Sequence, residues 1–423
     1  MFVTFDPRDA RSDIANLSPR QAGLSYCNTL SMLLAAFIGL LFAYSLVSAR
    51  LDKTVITAPI VFTLVGMVAF HALKPATGIT SPAAFLTLAE IGLVLLLFTD
   101  ASRTDLKILR NIRELPARLL SAGMLLTILL GALAAKLVFP QFSWWEAGIL
   151  SAILAPTDAG LGQIIVNSPR VPMRVRQALN VEAGLNDGLS VPFLLFFIAM
   201  AAAGIGEPSF ARFFGEQLGL GLAIGAGIGL AGGWLLETAR RHGWMAESFL
   251  QLAVVALPVF CIFASEHFGA SMFIAAFVAG LFVQVTFKHA GKHSVEFTEE
   301  WGQILNLAVF FLFGFIVARE SGGFGIAPFV YALLSLTVVR MLPVALSLIG
   351  SGLDKTTVAF MGWFGPRGLA SIVLGLVYLE EEKHLPGEQV TRLAVMATVL
   401  LSIFAHGLSA QPCIRLLARK KSP

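Results

Sequence analysis

The stretch "LAPTDAGLGQ", residues 154–163, puts a proline, a threonine and an aspartate in the middle of an apolar run, "WEAGILSAILAPTDAGLGQIIV". A carboxylate in hydrocarbon costs roughly 2.5–3.5 kcal/mol on insertion scales. A proline inside a helix removes one backbone hydrogen bond and clashes with the preceding turn. Neither the aspartate nor the proline is expected in a helix that serves only as a membrane anchor. The stretch therefore predicts a transmembrane helix that is broken for a functional reason.

The composition of the 423-residue chain is that of a membrane protein. Hydrophobic residues make up 57% and charged residues only 13%, and the mean hydropathy is +0.80. These values exclude a soluble domain. The formal net charge of +4 does not indicate a nucleic-acid partner, because the basic residues lie in short loops between apolar segments.

Thirteen apolar segments, each of roughly the length that crosses a bilayer, predict an all-α polytopic membrane protein without a separate soluble domain. The predicted spans are 29–49, 54–71, 83–99, 115–139, 144–166, 173–203, 213–238, 248–267, 270–287, 301–319, 327–350, 356–379 and 390–414.

The basic residues predict the orientation of these spans. With the N-terminus outside, 19 of the 30 Lys and Arg residues lie on the cytoplasmic face and nine on the outer face, while Arg340 and Arg367 lie inside spans. An excess of Lys and Arg marks cytoplasmic loops. We therefore expect a multi-pass protein of the cell (inner) membrane, with its N-terminus outside and its C-terminus in the cytoplasm.

A second break, "WFGPRGLAS" at residues 363–371, lies seven spans after the first. An odd spacing gives the two broken helices opposite orientations, as in transporters built from inverted repeats. Spans 1–6 and 8–13 would be the repeats, with span 7 as the connector. The broken helices would cross near mid-membrane, where Asp158 and Arg367 have suitable signs to offset the partial charges of the half-helix ends.

The sixth span contains a dense polar group, "ALNVEAGLNDGLSVP" at residues 178–192. Glu182 and Asn186 share one helix face, and Ala183, Asp187 and Ser190 share an adjoining face. A salt bridge is a sufficient structural explanation for Glu182. Asp187 has oxygen-bearing neighbours but no cationic partner in its segment, so we interpret it as functional.

Four motifs in order, "APTDAGLG", "VEAGLND", "FIAAFVAGL" and "GPRGLAS", with "LLLFTDASRTDLKILR" ahead of them, resemble the monovalent cation:proton antiporters. The resemblance covers nearly all of residues 30–415 and is greatest to the bacterial branch related to electroneutral sodium/proton exchangers. It implies an ion- and proton-binding site made of Thr157, Asp158, Asn186 and Asp187. Asp187 would bind cation and proton in turn, and Asn186 would hold the Asp158 side in place.

The bound Na+ (or K+) would lie at Asp158, Asp187 and Thr157. Glu182 resembles the family's buried glutamate, and Arg340 in "LTVVRMLPV" fits the arginine that pairs with it. Arg367 resembles the arginine of the second broken helix.

One position departs from the family pattern. Many relatives have a serine directly after the equivalent of Glu182, whereas this chain has Ala183, so one ligand oxygen is missing. Asp100, at the cytoplasmic end of the third span, is expected in the funnel through which the ion reaches the site.

The resemblance also implies an organisation and a mechanism. Segments 115–206 and 327–417 would form an ion-translocating core that moves in an elevator-type cycle. Segments 29–114 and 207–326 would form the scaffold, through which two copies make a homodimer; the connector helix lies in the second of these segments. A polar tail at 1–28 and a cytoplasmic tail at 418–423 would complete the chain. Na+ is the expected cation, with Li+ and K+ as alternatives. The charges of Asp158, Asp187 and Arg367 sum to −1, which predicts electroneutral exchange of one cation for one proton.

Two other functions fit parts of the pattern. A cation channel would use the same site, and a flux measurement separates it from an antiporter. An intramembrane aspartyl protease would use Asp158 and Asp187 to activate water, but the sequence around Asp187 reads "GLND" and the expected Pro-Ala-Leu is absent. We therefore expect a transporter that needs no cofactor, and not an enzyme.

Overall fold

The computed structural model describes residues 19–51, 54–73, 82–103, 114–202, 210–287, 296–380 and 385–419. These residues form helices and no β-strand. In chain order the helices are α1 Pro19–Leu51, α2 Ala58–Leu73, α3 Pro82–Arg103, α4 Glu114–Val138, α5 Trp144–Ile153, α6 Ala159–Val166, α7 Met173–Ala202, α8 Phe210–Arg241, α9 Glu247–Phe268, α10 Met272–Thr286, α11 Glu296–Arg319, α12 Ile326–Leu336, α13 Val338–Ser347, α14 Lys355–Trp363, α15 Leu369–Glu380 and α16 Glu388–Arg419.

The all-α membrane fold predicted from the sequence is confirmed. Each predicted span coincides with one helix or with an interrupted pair of helices. Within the described ranges, nine helices are long and apolar enough to cross a membrane, and shorter apolar helices occur at Ala58–Leu73, Met272–Thr286 and Leu369–Leu379. The number of crossings, thirteen, stays a prediction.

Part of the predicted polar tail at 1–28 is helical, since α1 begins at Pro19, and proline suits the first helical position. The boundary of this tail stays a prediction. Residues 1–18 lie outside the described residues, as do the last four residues of the predicted tail at 418–423. The same holds for several basic residues that are predicted to be cytoplasmic: Lys53, Lys107, Arg110, Arg113, Lys288 and Lys292.

Both predicted breaks are present. Residues 154–158 separate α5 from α6, and residues 364–368 separate α14 from α15. The first half-helix of each pair begins at a side-chain cap: Ser143 and Glu146 form a capping box on α5, and Asp354 accepts hydrogen bonds from the backbone of Thr356 and Thr357 on α14. A third break, at Thr337 between α12 and α13, has no proline or glycine at that position and was not predicted.

The helices pack in two groups. Helix α2 packs against α11, α3 packs against α10 and α11, and α8 and α9 pack against α10. In the other group α4, α5 and α7 pack together, as do α12, α13, α14 and α16. The two groups meet where α15 packs against α3 and where α7 packs against α8 and α10.

Glycine allows the closest of these contacts, along α8. Gly221, Gly225, Gly229 and Gly233 recur every fourth residue and face α10. A Cβ at Gly225 would overlap the carbonyl oxygen of Ala275. Small residues at such spacing are a general device for close helix approach in membranes, and the glycine-rich run of the sequence is explained by packing.

We expect Gly225→Ala to lower the thermal stability of the purified protein, because the added Cβ would also lie 2.8 Å from the Cβ of Val278. Overpacking of this kind costs about 1–3 kcal/mol. The matched control is Gly227→Ala on the same helix, where an added Cβ meets no atom within 4 Å. Thermal unfolding of both variants in one detergent measures the difference, and equal midpoints would contradict the packing argument.

Candidate functional site

The carboxylate of Asp158 joins the two broken helices. Its Oδ1 accepts a hydrogen bond from the backbone N–H of Leu161 at 2.9 Å, in the first turn of α6. Its Oδ2 accepts one from Leu369 N–H at 2.5 Å, at the start of α15. The backbone N–H of Asp158 donates to the carbonyl of Pro366 at 2.7 Å. One buried acid therefore caps two helix N-termini, whose partial positive charge favours an anion there.

Arg367 makes the reciprocal contact. Its Nη1 donates to the carbonyl oxygens of Ala155 at 2.8 Å and Pro156 at 2.7 Å, just beyond the C-terminal end of α5. The side chain is 0% exposed, and its backbone N–H donates to Ser402 Oγ of α16 at 2.6 Å. Asp158 and Arg367 are therefore placed at half-helix ends as expected: Asp158 contacts both repeats, and the Arg367 side chain contacts the first.

Two glycines of "GPRGLAS" allow the charged side chains of Asp158 and Arg340 to approach the backbone of the second break. A Cβ at Gly368 would overlap the carboxylate of Asp158, and a Cβ at Gly365 would overlap the guanidinium of Arg340. Any larger residue at either position would displace a buried charge. The glycines that flank Arg367 in the sequence are thus required by contacts with other helices.

Asn186 and Thr157 hold each other. The Nδ2 of Asn186 donates to Thr157 Oγ1 at 2.8 Å, and the backbone N–H of Thr157 donates to Asn186 Oδ1 at 3.3 Å. Asn186 was expected to hold the Asp158 side in place, and it contacts that segment through the preceding residue. Its amide is therefore engaged in fixing the unwound segment.

Asp187 has a different environment. It is 8% exposed, and its Oδ1 is buried without a hydrogen-bond partner among the described residues. An unpaired buried acceptor costs about 1–3 kcal/mol and more when charged. A bound proton or cation would supply the partner that this buried oxygen lacks.

Glu182 and Arg340 form a buried pair between α7 and α13. The Nη1 of Arg340 lies 2.5 Å from Glu182 Oε1, and Nη2 lies 3.0 Å from Oε2. This is the two-pronged geometry that makes arginine–carboxylate pairs strong. The ion pair expected from the sequence is present, and the two charges neutralise each other.

A cavity of about 340 Å³ leads to these acids. Its lining includes four carboxylates but, among the residues that the structure describes, no Lys or Arg; the acids are Asp100, Asp158, Asp187 and Glu299. The lining includes residues at the start of α2, near the end of α3, at the end of α6 and in the first turn of α11. All four ends belong to the face assigned to the cytoplasm from the basic residues. A cleft lined by one sign of charge concentrates ions of the opposite sign.

A family profile described as "Sodium/hydrogen exchanger, transmembrane" matches residues 29–416. The chain belongs to the sodium/hydrogen exchanger family. The resemblance stated from the motifs is thereby confirmed. The family is one of transporters, so the interpretation as a transporter and not an enzyme is confirmed, and the protease alternative is set aside.

Named relatives extend this finding. The chain is 27% identical over 386 residues to the K+/H+ antiporter NhaP of Alkalimonas amylolytica, covering 90% of this chain and 66% of that protein. It is 25% identical over 266 residues to a Na+/H+ antiporter of Schizosaccharomyces pombe, covering 57% and 55%. The chain thus spans less than two thirds of the length of these relatives.

The fold is also found among solved structures. The sodium proton antiporter MjNhaP1 of Methanocaldococcus jannaschii matches with a TM-score of 0.72 at 19% identity, covering 93% of this chain and 99% of that one. This similarity establishes a shared fold.

The contribution of α11 to the cavity was not predicted from the sequence. Glu299, Gln303 and Asn306 line the cavity from one face of that helix. Their spacing of four and three residues was a readable signal, because it is the spacing of one helix face. Asp100, expected in the funnel, does line the cavity. Ala183 lines a small adjoining cavity beside Thr157 and Asp158.

We expect Glu182→Gln and Arg340→Gln each to lower the stability of the folded protein strongly, since removing one partner of a buried pair leaves the other charge uncompensated, at a cost of roughly 3–5 kcal/mol. The control is Arg241→Gln, which removes a cation that is 74% exposed from its pair with Glu237 and should change stability by about 0–1 kcal/mol. Thermal unfolding of the purified variants measures both. Wild-type midpoints for the two buried variants would contradict the pairing.

Proposed function

We propose that the chain is a secondary active antiporter that exchanges a monovalent cation for H+, with Asp187 as the residue that binds each in turn. The observation that carries this proposal is the unpartnered Oδ1 of Asp187, buried in an acidic cavity beside two interrupted helices. The other two acids of the site already have partners: backbone amides for Asp158 and Arg340 for Glu182. Asp187 alone of these three keeps an oxygen free for exchange.

Competition for the same oxygens couples the two substrates. A hard monovalent cation takes several oxygen ligands, and side-chain oxygens, carbonyls and water at the unwound segment supply them. A proton on the Asp187 carboxylate removes the charge that attracts the cation, and the cation displaces the proton. Either bound form neutralises the site before it crosses the hydrocarbon layer.

Two features at the opposite membrane face favour an alternating-access transporter over a channel. There, a separate apolar cavity of about 90 Å³ lies between α3 and α11 on one side and α15 and α16 on the other. An ion pair between Glu320 Oε2 and Arg392 Nη2, 3.2 Å apart, joins the end of α11 to the start of α16 across the same boundary. In this proposal, segments 115–206 and 327–417 move as an elevator-type core and break these contacts when the site turns to the other face.

Na+ is the cation we propose, with K+ as the alternative, since relatives of the chain are named for each ion. Location in the inner membrane, the N-terminus outside and a homodimeric assembly also remain predictions. Inside-out vesicles with a pH-gradient dye, given Na+, Li+ and K+ in turn, would rank the ions by the dye response. A far faster flux that needs no counter-ion would identify a channel.

We expect Asp187→Asn to reduce cation-dependent proton movement to the level of empty vesicles while membrane insertion is unchanged, because asparagine cannot bind and release a proton. The control is Glu266→Gln, which removes an exposed acid on α9 and should leave exchange intact. The pH-gradient dye assay measures both variants. Near-normal exchange by Asp187→Asn would contradict the assignment.

We further expect one cation to exchange for one proton. Arg340 neutralises Glu182, so Asp158, Asp187 and Arg367 together have a charge of −1, which either one cation or one proton cancels. Moving one net charge through the membrane is worth about 2.3 kcal/mol per 100 mV. A diffusion potential set with valinomycin in proteoliposomes should therefore leave the steady-state Na+-driven pH gradient unchanged, provided that K+ is not a substrate. A potential-sensitive dye verifies the imposed voltage, and a voltage-dependent gradient would refute this count.

A further inference from the structure

Helix α11 directs one amide into the cavity near the broken helices. Asn306 is 9% exposed and lines the same cavity as Asp158 and Asp187. Its Oδ1 is buried and has no hydrogen-bond partner among the described residues. The two other polar residues on this face, Glu299 and Gln303, bond to each other at 3.1 Å. Asn306 is therefore the innermost polar group of α11 in the cavity and has an unused oxygen.

Gly160 locates Asn306 relative to Asp158. A Cβ at position 160 would lie 3.0 Å from Asp158 Oδ1 and 3.3 Å from Asn306 Nδ2. The two side chains thus approach one point from α11 and from the broken helix, at a separation no greater than the sum of these distances. Gly160 itself is exposed and lines the cavity. The absence of a side chain there leaves the space between the amide and the carboxylate open.

The amide nitrogen of Asn306 is the atom that lies nearest this gap, and its unpartnered oxygen suits a small cation in the same cavity. A buried amide oxygen without a hydrogen-bond partner is unfavourable. Hard cations in proteins take carboxylate oxygens together with the carbonyl oxygens of Asn and Gln. The cavity offers this combination in Asp187 Oδ1 and Asn306 Oδ1, both of which lack a hydrogen-bond partner within the described part of the chain.

We infer that Asn306 is a ligand of the transported cation, supplied by α11 while Asp158 and Asp187 are supplied by the helices that move. The inference rests on the proposed antiport. In it, the cation bridges the two helix groups only while the site is open to the cavity. Asn306 then strengthens binding from that face, and the cation loses this ligand when the core moves away.

A cation ligand that acts from only one membrane face should change cation affinity on that face alone, whereas a structural residue should change it on both faces. Asn306→Leu removes the oxygen and keeps the same number and branching of side-chain heavy atoms. We expect the half-saturating Na+ concentration in inside-out vesicles to rise about tenfold, which corresponds to the loss of one good polar contact. In right-side-out vesicles the change should be much smaller. Asn306→Asp should lower the half-saturating concentration in inside-out vesicles, because it adds a charge at the same place.

A second pair of variants tests the gap without touching Asn306. Gly160→Ala places a methyl group between the amide and Asp158 and should raise the half-saturating concentration in inside-out vesicles. Its matched control is Gly162→Ala in the same helix, where an added Cβ has nothing within 4 Å. Alanine favours the helix in both variants, so reduced affinity with undiminished thermal stability would support the gap as part of the ion's path.

The outcomes separate this inference from the proposed function. If the wild-type protein moves no protons in response to Na+, Li+ or K+, the proposed antiport fails and the inference fails with it. If the wild type exchanges but Asn306→Leu keeps the wild-type half-saturation in inside-out vesicles, or shifts it equally in both orientations, only the inference is overturned. If Asn306→Leu does not accumulate, an unchanged half-saturation in Asn306→Asp overturns it equally.

Discussion

The bonds from one carboxylate to two helix ends organise the whole site. In hydrocarbon there is no water to satisfy the backbone at a helix break, so residues 154–158 and 364–368 need partners inside the protein. Asp158 supplies acceptors for the amides of Leu161 and Leu369, and Arg367 supplies donors for the carbonyls near the end of α5. The breaks are thus satisfied partly within the first repeat, where Asp158 accepts from Leu161, and partly by contacts between the repeats through Leu369 and Arg367.

This arrangement divides the buried acids by task. Asp158 is committed to backbone amides, and Glu182 is committed to Arg340. Asp187 has an oxygen with no partner in the described structure. An acid that is stabilised by fixed partners cannot easily exchange its charge, which is why the proposed exchange is assigned to Asp187 and not to Asp158 or Glu182.

The sequence made much of this predictable, for a physical reason. Charges and prolines inside apolar segments are costly, so Asp158, Arg367 and Asp187 stood out, and the odd spacing of the breaks gave their relative orientation. The contact of Asn186 with Thr157 could not be read in the same way, because helix periodicity gives the face of a residue but not what lies opposite it. Asn306 was missed because single amides in a span are inexpensive, and the break at Thr337 was missed because no proline or glycine occurs there.

Asp158 and Arg367 each bond to a half-helix end of the other repeat, and this has a consequence for how the protein is synthesised. Asp158 and the amide of Leu369 are 211 positions apart in the chain. At roughly 5–20 residues synthesised per second, about 10–40 s separate the emergence of the two groups. During this interval Asp158 Oδ1 can cap α6 within the first repeat, but Asp158 Oδ2 and the carbonyls of Ala155 and Pro156 lack the partners that the second repeat supplies. The contacts that join the two breaks can therefore form only after the second repeat has been synthesised.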